Sequence, residues 1–148
     1  MPQAKGIDSS IRKMICADID DIMRIWLDCN VKAHHFIPAS YWRDHYDDVK
    51  RLIAQAEVYV CEISKKIVGF IGLSDNYIAG IFVDPDLQSQ GIGKKLLDSI
   101  KAFKPQLLLH VYCKNRRALK FYQRENFVID SDDIDADTGE QEFLMKFV

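Results

Sequence analysis

Gln88-Ser89-Gln90-Gly91-Ile92-Gly93-Lys94 is a glycine-bearing turn between an apolar run of strand character and an apolar run of helix character. Strand, turn and helix in that order leave backbone N–H groups free at the positive end of a helix dipole, a setting that suits phosphate or pyrophosphate. The chemistry implied is capture of a phosphorylated cofactor. Two better-known phosphate motifs do not fit. A P-loop requires a glycine at position 88 and Ser or Thr after its lysine, where the chain has Gln88 and Lys95. A dinucleotide fingerprint starting at Gly91 and Gly93 requires a small residue where Leu96 stands. What remains is Gln88-x-x-Gly91-x-Gly93, which is either a plain turn before a helix or a phosphate cradle.

A second constellation lies downstream: Leu108-Leu109-His110-Val111-Tyr112, then Asn115-Arg116-Arg117-Ala118-Leu119-Lys120-Phe121-Tyr122, then Phe127. In this order and spacing the two segments resemble motifs of the GNAT superfamily of N-acetyltransferases. The first resembles its acetyl-CoA pyrophosphate loop, and the second its closing strand, Asn/Ala/Phe-Tyr helix and turn into a further strand. The resemblance spans essentially the whole chain and is nearest to small bacterial members that share the His34-x-Phe36-Ile37 and Tyr41-Trp42-Arg43-Asp44 patches. Asn126 stands where the family usually has glycine, and Asn also tolerates the left-handed conformation of a helix end.

The resemblance implies an α/β (α+β) fold: a mixed, mostly antiparallel sheet of about six to seven strands flanked by four helices, with strands 4 and 5 splayed to admit the pantetheine arm. It implies acetyl-CoA as co-substrate, no metal, and a primary amine as acceptor, with protein lysine favoured over amino acids and small amines. The amides of Gln88, Ser89, Gln90, Gly91, Ile92, Gly93 and Lys94 would hold the pyrophosphate. The main chain of Ile81, Phe82 and Val83 would pair with the pantetheine as an added strand. Tyr122 matches the family's general acid, which gives its phenolic proton to the departing thiolate; without the accompanying Asn115 and Phe121 it would read as a core tyrosine on an amphipathic helix. Asn115 matches a residue that hydrogen-bonds the cofactor, and an N-cap role explains an Asn there as well.

A lysine ammonium of pKa near 10.4 is neutral in only about one molecule in a few thousand at pH 7, so a base or ordered water must take its proton. His34 and His35 are candidates, in a segment that in this fold lies over the acceptor, and each also reads as a packing or surface residue. Phe36, Tyr41 and Trp42 form an aromatic cluster that either lines an acceptor pocket or fills the core. His45 and His110 read as structural. Cys61 and Cys113 have no adjacent His or activating motif, which disfavours an acetyl-enzyme route.

The elements that must position these groups fit one domain over residues 1–148, a length that buries a substantial core without staples. The 20 basic and 22 acidic residues, net charge -2, provide no field for nucleic acid. Cys16, Cys29, Cys61 and Cys113 are scattered without metal-ligand spacing and read as buried or partly buried thiols of a reducing compartment. No apolar run approaches a membrane span, and no leader pattern opens the chain, so a soluble cytoplasmic monomer or homodimer is expected.

Along the chain, Ile11 to Cys16 reads as a first strand, and Asp18 as the N-cap of a helix carrying Ile19, Ile22, Met23 and Trp26 on one face to about Asn30. A second helix capped by Ser40 has the stripe Trp42, His45, Val49, Leu52, Ile53 and Ala56. Strands follow at Val58 to Ile63, Ile67 to Ser74 and Tyr77 to Val83, with Gly80 marking a bulge or close approach. A helix with Ile92, Leu96, Leu97, Ile100 and Phe103, a strand from Gln106 to Tyr112 and a helix from Asn115 to Glu125 come next. The acidic run Ser131 to Glu140 reads as a solvated hairpin loop before a last strand, Glu142 to Phe147.

Two other readings stand beside acetyl transfer. One is a non-catalytic acyl-CoA-binding or regulatory module, which has no use for an acid beside the sulfur. The other is an unrelated α/β protein whose glycines are merely turns.

Overall fold

The computed structural model describes residues 9–148; the first eight residues of the domain expected over 1–148 lie outside the described residues. In chain order the elements are β1 (Ser9–Lys13), α1 (Ile19–Ala33), α2 (Ala39–Asp44), α3 (Tyr46–Gln55), β2 (Glu57–Ile63), β3 (Lys66–Ser74), β4 (Tyr77–Val83), α4 (Ile92–Lys101), β5 (Leu107–Tyr112), α5 (Arg116–Arg124), β6 (Val128–Ile134) and β7 (Gln141–Phe147). The strands make one sheet of order β1-β2-β3-β4-β5-β7-β6, antiparallel throughout except where β4 meets β5. This is the mixed, mostly antiparallel sheet expected from the motifs.

Two apolar layers sandwich the sheet. On one face α4 and α5 bring Ile92, Leu96, Leu97, Ile100 and Tyr122 against Val68, Ile71, Leu109 and Met145. On the other, α1 to α3 bring Ile22, Met23, Trp26 and Trp42 against Val58, Val60 and Phe70. Side chains of this size contribute roughly 1.5–3 kcal/mol each on full burial. Strand β3 is buried on both faces, which is why it reads as an almost unbroken apolar run.

Several local expectations are corrected. The first strand ends at Lys13, before the predicted Cys16. The carboxylate of Asp18 accepts from Arg12 Nη1 at 2.8 Å, Arg12 Nη2 at 3.0 Å and the Ile15 amide at 2.8 Å, so it fastens β1 to the start of α1 and makes no cap bond into the helix. Helix α1 runs to Ala33, past Asn30. The helix expected from Ser40 is two helices: His45 Nδ1 donates to the Tyr41 carbonyl at 2.7 Å, the backbone flattens there to ψ -2, and the rotated register leaves Leu52 exposed. Phe103 lies beyond the end of α4 and is also exposed, as is Cys16. Ser131 to Ile134, predicted as loop, pair with β7 and belong to β6; only residues 135–140 turn. That strand is an edge with every residue exposed, so acidic side chains are tolerated in it and deter pairing with a neighbouring chain.

The feature that shapes the rest is a bulge in β4. Gly72 pairs with Gly80 but Leu73 pairs with Ile78, which leaves Ala79 as an extra residue beside the predicted Gly80. A Cβ on Gly80 would overlap the ring of Phe82, which stacks on Phe70 with centroids 5.1 Å apart. Gly80→Val is therefore expected to lower stability by about 1–3 kcal/mol through overpacking. Urea unfolding checks it, and an unchanged midpoint would remove the close-packing argument.

Candidate active site

Strands β4 and β5 pair in parallel at Tyr77↔Leu108 and Ile78↔Leu109 and then part. Beyond the bulge the β5-facing edge of β4 has no strand partner, and the two walls enclose a cleft of about 710 Å³. Ile81, Phe82, Val83, Gln88, Ser89, Gly91, Ile92, Gly93, Lys94, Asn115, Tyr122, His34 and Trp42 all line it. Gln90 and Phe36 do not; Phe36 packs edge-on against His34 and Tyr112 behind the wall.

One end of the cleft opens at the turn into α4. Ser89 (φ 67) and Gly91 (φ 85) both take left-handed backbone, which turns the chain so that α4 begins at Ile92 with its first amides directed outward. Gly93 is tight against α5, where an added Cβ would meet Phe121 Cζ at 3.3 Å. The Gln88 side chain is not free, because its Nε2 donates to the Val83 carbonyl at 3.1 Å and ties the loop to β4. Lys94 is engaged as well, its Nζ standing 3.1 Å from Glu125 and 3.4 Å from Asp98. Arg117, which donates to Ser89 Oγ at 2.7 Å, and Arg124 supply cationic groups at this end that the motif reading passed over.

Tyr122 also lines the cleft, on a helix whose N-terminus Asn115 caps by accepting from the Ala118 amide at 3.3 Å. Burial pushes the Tyr122 phenol well above its usual range, so it remains protonated and has a proton to give. Its helix is clasped to α1 across the cleft by a chain of side chains. Asn115 Nδ2 donates to His34 Nε2 at 3.0 Å, His34 Nδ1 donates to Asn30 Oδ1 at 3.1 Å, and Asn30 Nδ2 donates to the Trp26 carbonyl at 2.9 Å. That network assigns the His34 tautomer. Both His34 nitrogens are thereby occupied, and burial lowers its pKa to about 4. His34 is a neutral strut, unsuited to the base role considered above. His35 is exposed and outside the cleft lining.

Two further groups bear on reactivity. Trp42 is 8% exposed, and its Nε1–H is the only fully buried side-chain polar atom among the described residues without a partner. Cys29 donates to the Val83 carbonyl, and burial pushes its thiol up to about 12, so the one cysteine of the lining is not a thiolate. Among the described residues no group of three His, Cys, Asp or Glu side chains is placed to hold a metal.

The lining also holds residues, on both β4 and β5, that the motif reading missed. Tyr77 Oη and His110 Nδ1 are 2.7 Å apart, and Glu142 stands on the adjoining strand. A signal existed in the β5 pattern: Leu107, Leu109 and Val111 alternate into the core, so the intervening His110 must face outward.

A histidine whose folded pKa is depressed binds protons more readily when unfolded, so its contribution to stability is present above pH 6.5 and is lost as pH falls toward about 4. The wild-type chain is expected to lose stability on the order of 1–3 kcal/mol from this site over that interval. His34→Gln should flatten the slope between pH 6.5 and 5, above most carboxylate titration. Urea midpoints at stepped pH measure it, and equal slopes would show that His34 is not buried neutral.

Residues 54–129 match an acetyltransferase (GNAT) domain model. The chain is 36% identical over 121 residues to the peptidyl-lysine N-acetyltransferase YiaC of Escherichia coli (strain K12), an overlap of 80% of this chain and 83% of that protein. To the peptidyl-lysine N-acetyltransferase YjaB of the same strain it is 27% identical over 121 residues, covering 81% and 82%. The solution structure of apo-form YjaB from E. coli superposes with TM-score 0.84 at 25% identity over 95% of this chain and 97% of that one. The PaiA N-acetyltransferase of Thermoplasma acidophilum in complex with coenzyme A shares the fold, with TM-score 0.78 at 18% identity over 95% and 98%. A splayed sheet, a glycine turn at the mouth of its cleft and this agreement along most of the chain lead to one conclusion: the chain belongs to the GNAT family of acetyltransferases.

Proposed function

We propose that this chain is an N-acetyltransferase that moves the acetyl group of acetyl-CoA to the side-chain amine of protein lysine by direct attack, with Tyr122 as general acid. The observation that carries the reading is a protonated, buried phenol in the same cleft as an outward-facing helix N-terminus, with an unpaired strand edge between them. Lysine as acceptor is supported by the relatives, two of which are named peptidyl-lysine N-acetyltransferases.

The residues present fit a CoA-type ligand. The amides opening α4 and the guanidinium groups of Arg117 and Arg124 suit phosphates. The free edge of Ile81, Phe82 and Val83 suits a pantetheine arm that pairs as a strand would. When bound, acetyl-CoA supplies an activated thioester carbonyl. Ser89, Gly91 and the first turn of α4 hold its charged end, and Tyr122 gives a proton to the departing thiolate. Asn115 acts by capping the helix that carries Tyr122 and by joining it to α1. Gln88 acts by holding the loop against β4. Four free thiols fit a reducing compartment such as the cytoplasm, and residues 1–148 act as a single domain.

Tyr122→Phe removes only a hydroxyl, so turnover is expected to fall about 10²- to 10⁴-fold with acetyl-CoA affinity nearly unchanged. CoA release and calorimetry measure the two, and an unaltered rate discards the acid assignment. Gly91→Glu combines a left-handed backbone penalty of about 1–2 kcal/mol with a carboxylate beside phosphates, and should abolish binding. Thermal shift reads this directly: ligand at a hundredfold over its Kd stabilises wild type by about 2.7 kcal/mol. A shift of that size in the variant would move the anion site elsewhere.

A further inference from the structure

We propose that Tyr77 and His110 form the proton-accepting pair for the incoming amine, with Glu142 balancing the charge the pair takes up; this rests on the acetyl-transfer reading above. Tyr77 pairs with Leu108 in the first of the two rungs that join β4 to β5, His110 follows the last rung at Leu109, where the sheet opens, and the two side chains are joined by a 2.7 Å hydrogen bond. They line the same cleft as Tyr122, on the face of β5 opposite the core residues Leu107, Leu109 and Val111.

The chemistry requires such a group. A primary ammonium has no lone pair to attack with, and at pH 7 only about one in a few thousand is neutral. Imidazole is the side chain whose ordinary titration lies nearest neutrality. Of the four histidines, His34 has both ring nitrogens bonded, His35 lies outside the cleft lining, and His45 is turned onto the Tyr41 carbonyl. His110 alone lines the cleft with a nitrogen, Nε2, that makes no hydrogen bond among the described residues. Burial, followed by the nearby Glu142, raises the Tyr77 phenol above its usual range, so Tyr77 passes a proton along and does not hold a negative charge.

The step balances as follows. One N–H bond of the ammonium breaks and an O–H bond forms on Tyr77 Oη. The original Tyr77 proton moves to His110 Nδ1, giving a neutral amine and an imidazolium, with the positive charge conserved. Water then takes a proton from the imidazolium. The ammonium loses two protons overall: this pair delivers one to solvent, and the other balances the proton that Tyr122 gives to the thiolate. The charged and titratable groups facing His110 are Tyr77 on β4 and Glu142 on β7, with Asp133 of β6 and Asp135 beyond it acting on Glu142. All three carboxylates favour a cation at this wall, whether imidazolium or ammonium.

The test uses the full chain, acetyl-CoA and three acceptors, an Nα-acetylated lysine peptide, spermidine and an α-amino acid, with CoA release followed from pH 6 to 9.5. His110→Gln should lower kcat/KM for the acceptor about 10²- to 10³-fold at pH 7. That deficit should shrink roughly tenfold per pH unit toward the amine's own pKa, as solvent takes over deprotonation. Tyr77→Phe should show a smaller deficit that shrinks in the same way. Glu142→Gln should move the acid limb of the profile to lower pH. The acetyl-CoA thermal shift should be unchanged in all three. A His110→Gln enzyme as fast as wild type at pH 7, or a deficit that stays constant with pH, overturns the proposal while leaving acetyl transfer intact. Wild-type activity on spermidine alone overturns the lysine acceptor, and the same pH-dependent deficit with spermidine then supports the proton-accepting pair. A wild-type chain silent toward every amine overturns the transfer reading and this proposal with it.

Discussion

The parting of β4 from β5 after Ile78 is the constraint on which the rest of the molecule depends. Two strands that separate inside a sheet leave backbone donors and acceptors without partners, a state that folded proteins tolerate only where water or a ligand completes the pairing. The bulge at Ala79 adjoins the point where the pairing ends, and the apolar layers on the two faces pack against the strands on both sides of the opening. Strand β4 belongs to the leaf that α1 and α4 cover, while β5 is fastened along its whole length to β7. The opening is therefore a property of the scaffold, present before any ligand arrives.

A cleft held from two sides still needs its reactive groups aligned across it. The chain from Asn115 through His34 to Asn30 performs that task with uncharged partners, each bonded at both ends. Burial disfavours the charged form of His34, so its ring stays neutral. The same arrangement sets the cap of α5 and so the placement of Tyr122. At the other end Gln88 and Cys29 both donate to the Val83 carbonyl, fixing the loop and α1 to the strand that borders the cleft.

What could be read in the residues was what local geometry decides. Gly91 and Gly93 have a spacing that dictates a turn into a helix, and Asn115 and Asn126 have side chains suited to the two ends of α5; the structure places them so, with Asn126 at φ 73. Gly80 advertised the irregularity of β4. Other features depend on partners distant in sequence. Tyr77 meets His110 only through the parallel register of β4 and β5, which no window of sequence contains. His34 looked like a possible base because its bonds to Asn30 and Asn115 are invisible until α1 and α5 face each other. The strand at Ser131 to Ile134 was hidden because an edge with both faces in water needs no alternation of apolar residues. His45 breaks a helical stripe by side-chain competition for one carbonyl, an event that periodicity does not register.

The chain has two tryptophans, Trp26 and Trp42, which meet edge to face with ring centroids 6.0 Å apart, and both border the cleft. All of the protein's indole emission thus originates within one site, beside an N–H that has no partner of its own. Anything that settles there alters the polarity and quenching felt by both fluorophores at once, so the molecule carries an intrinsic optical gauge of occupancy without an attached dye.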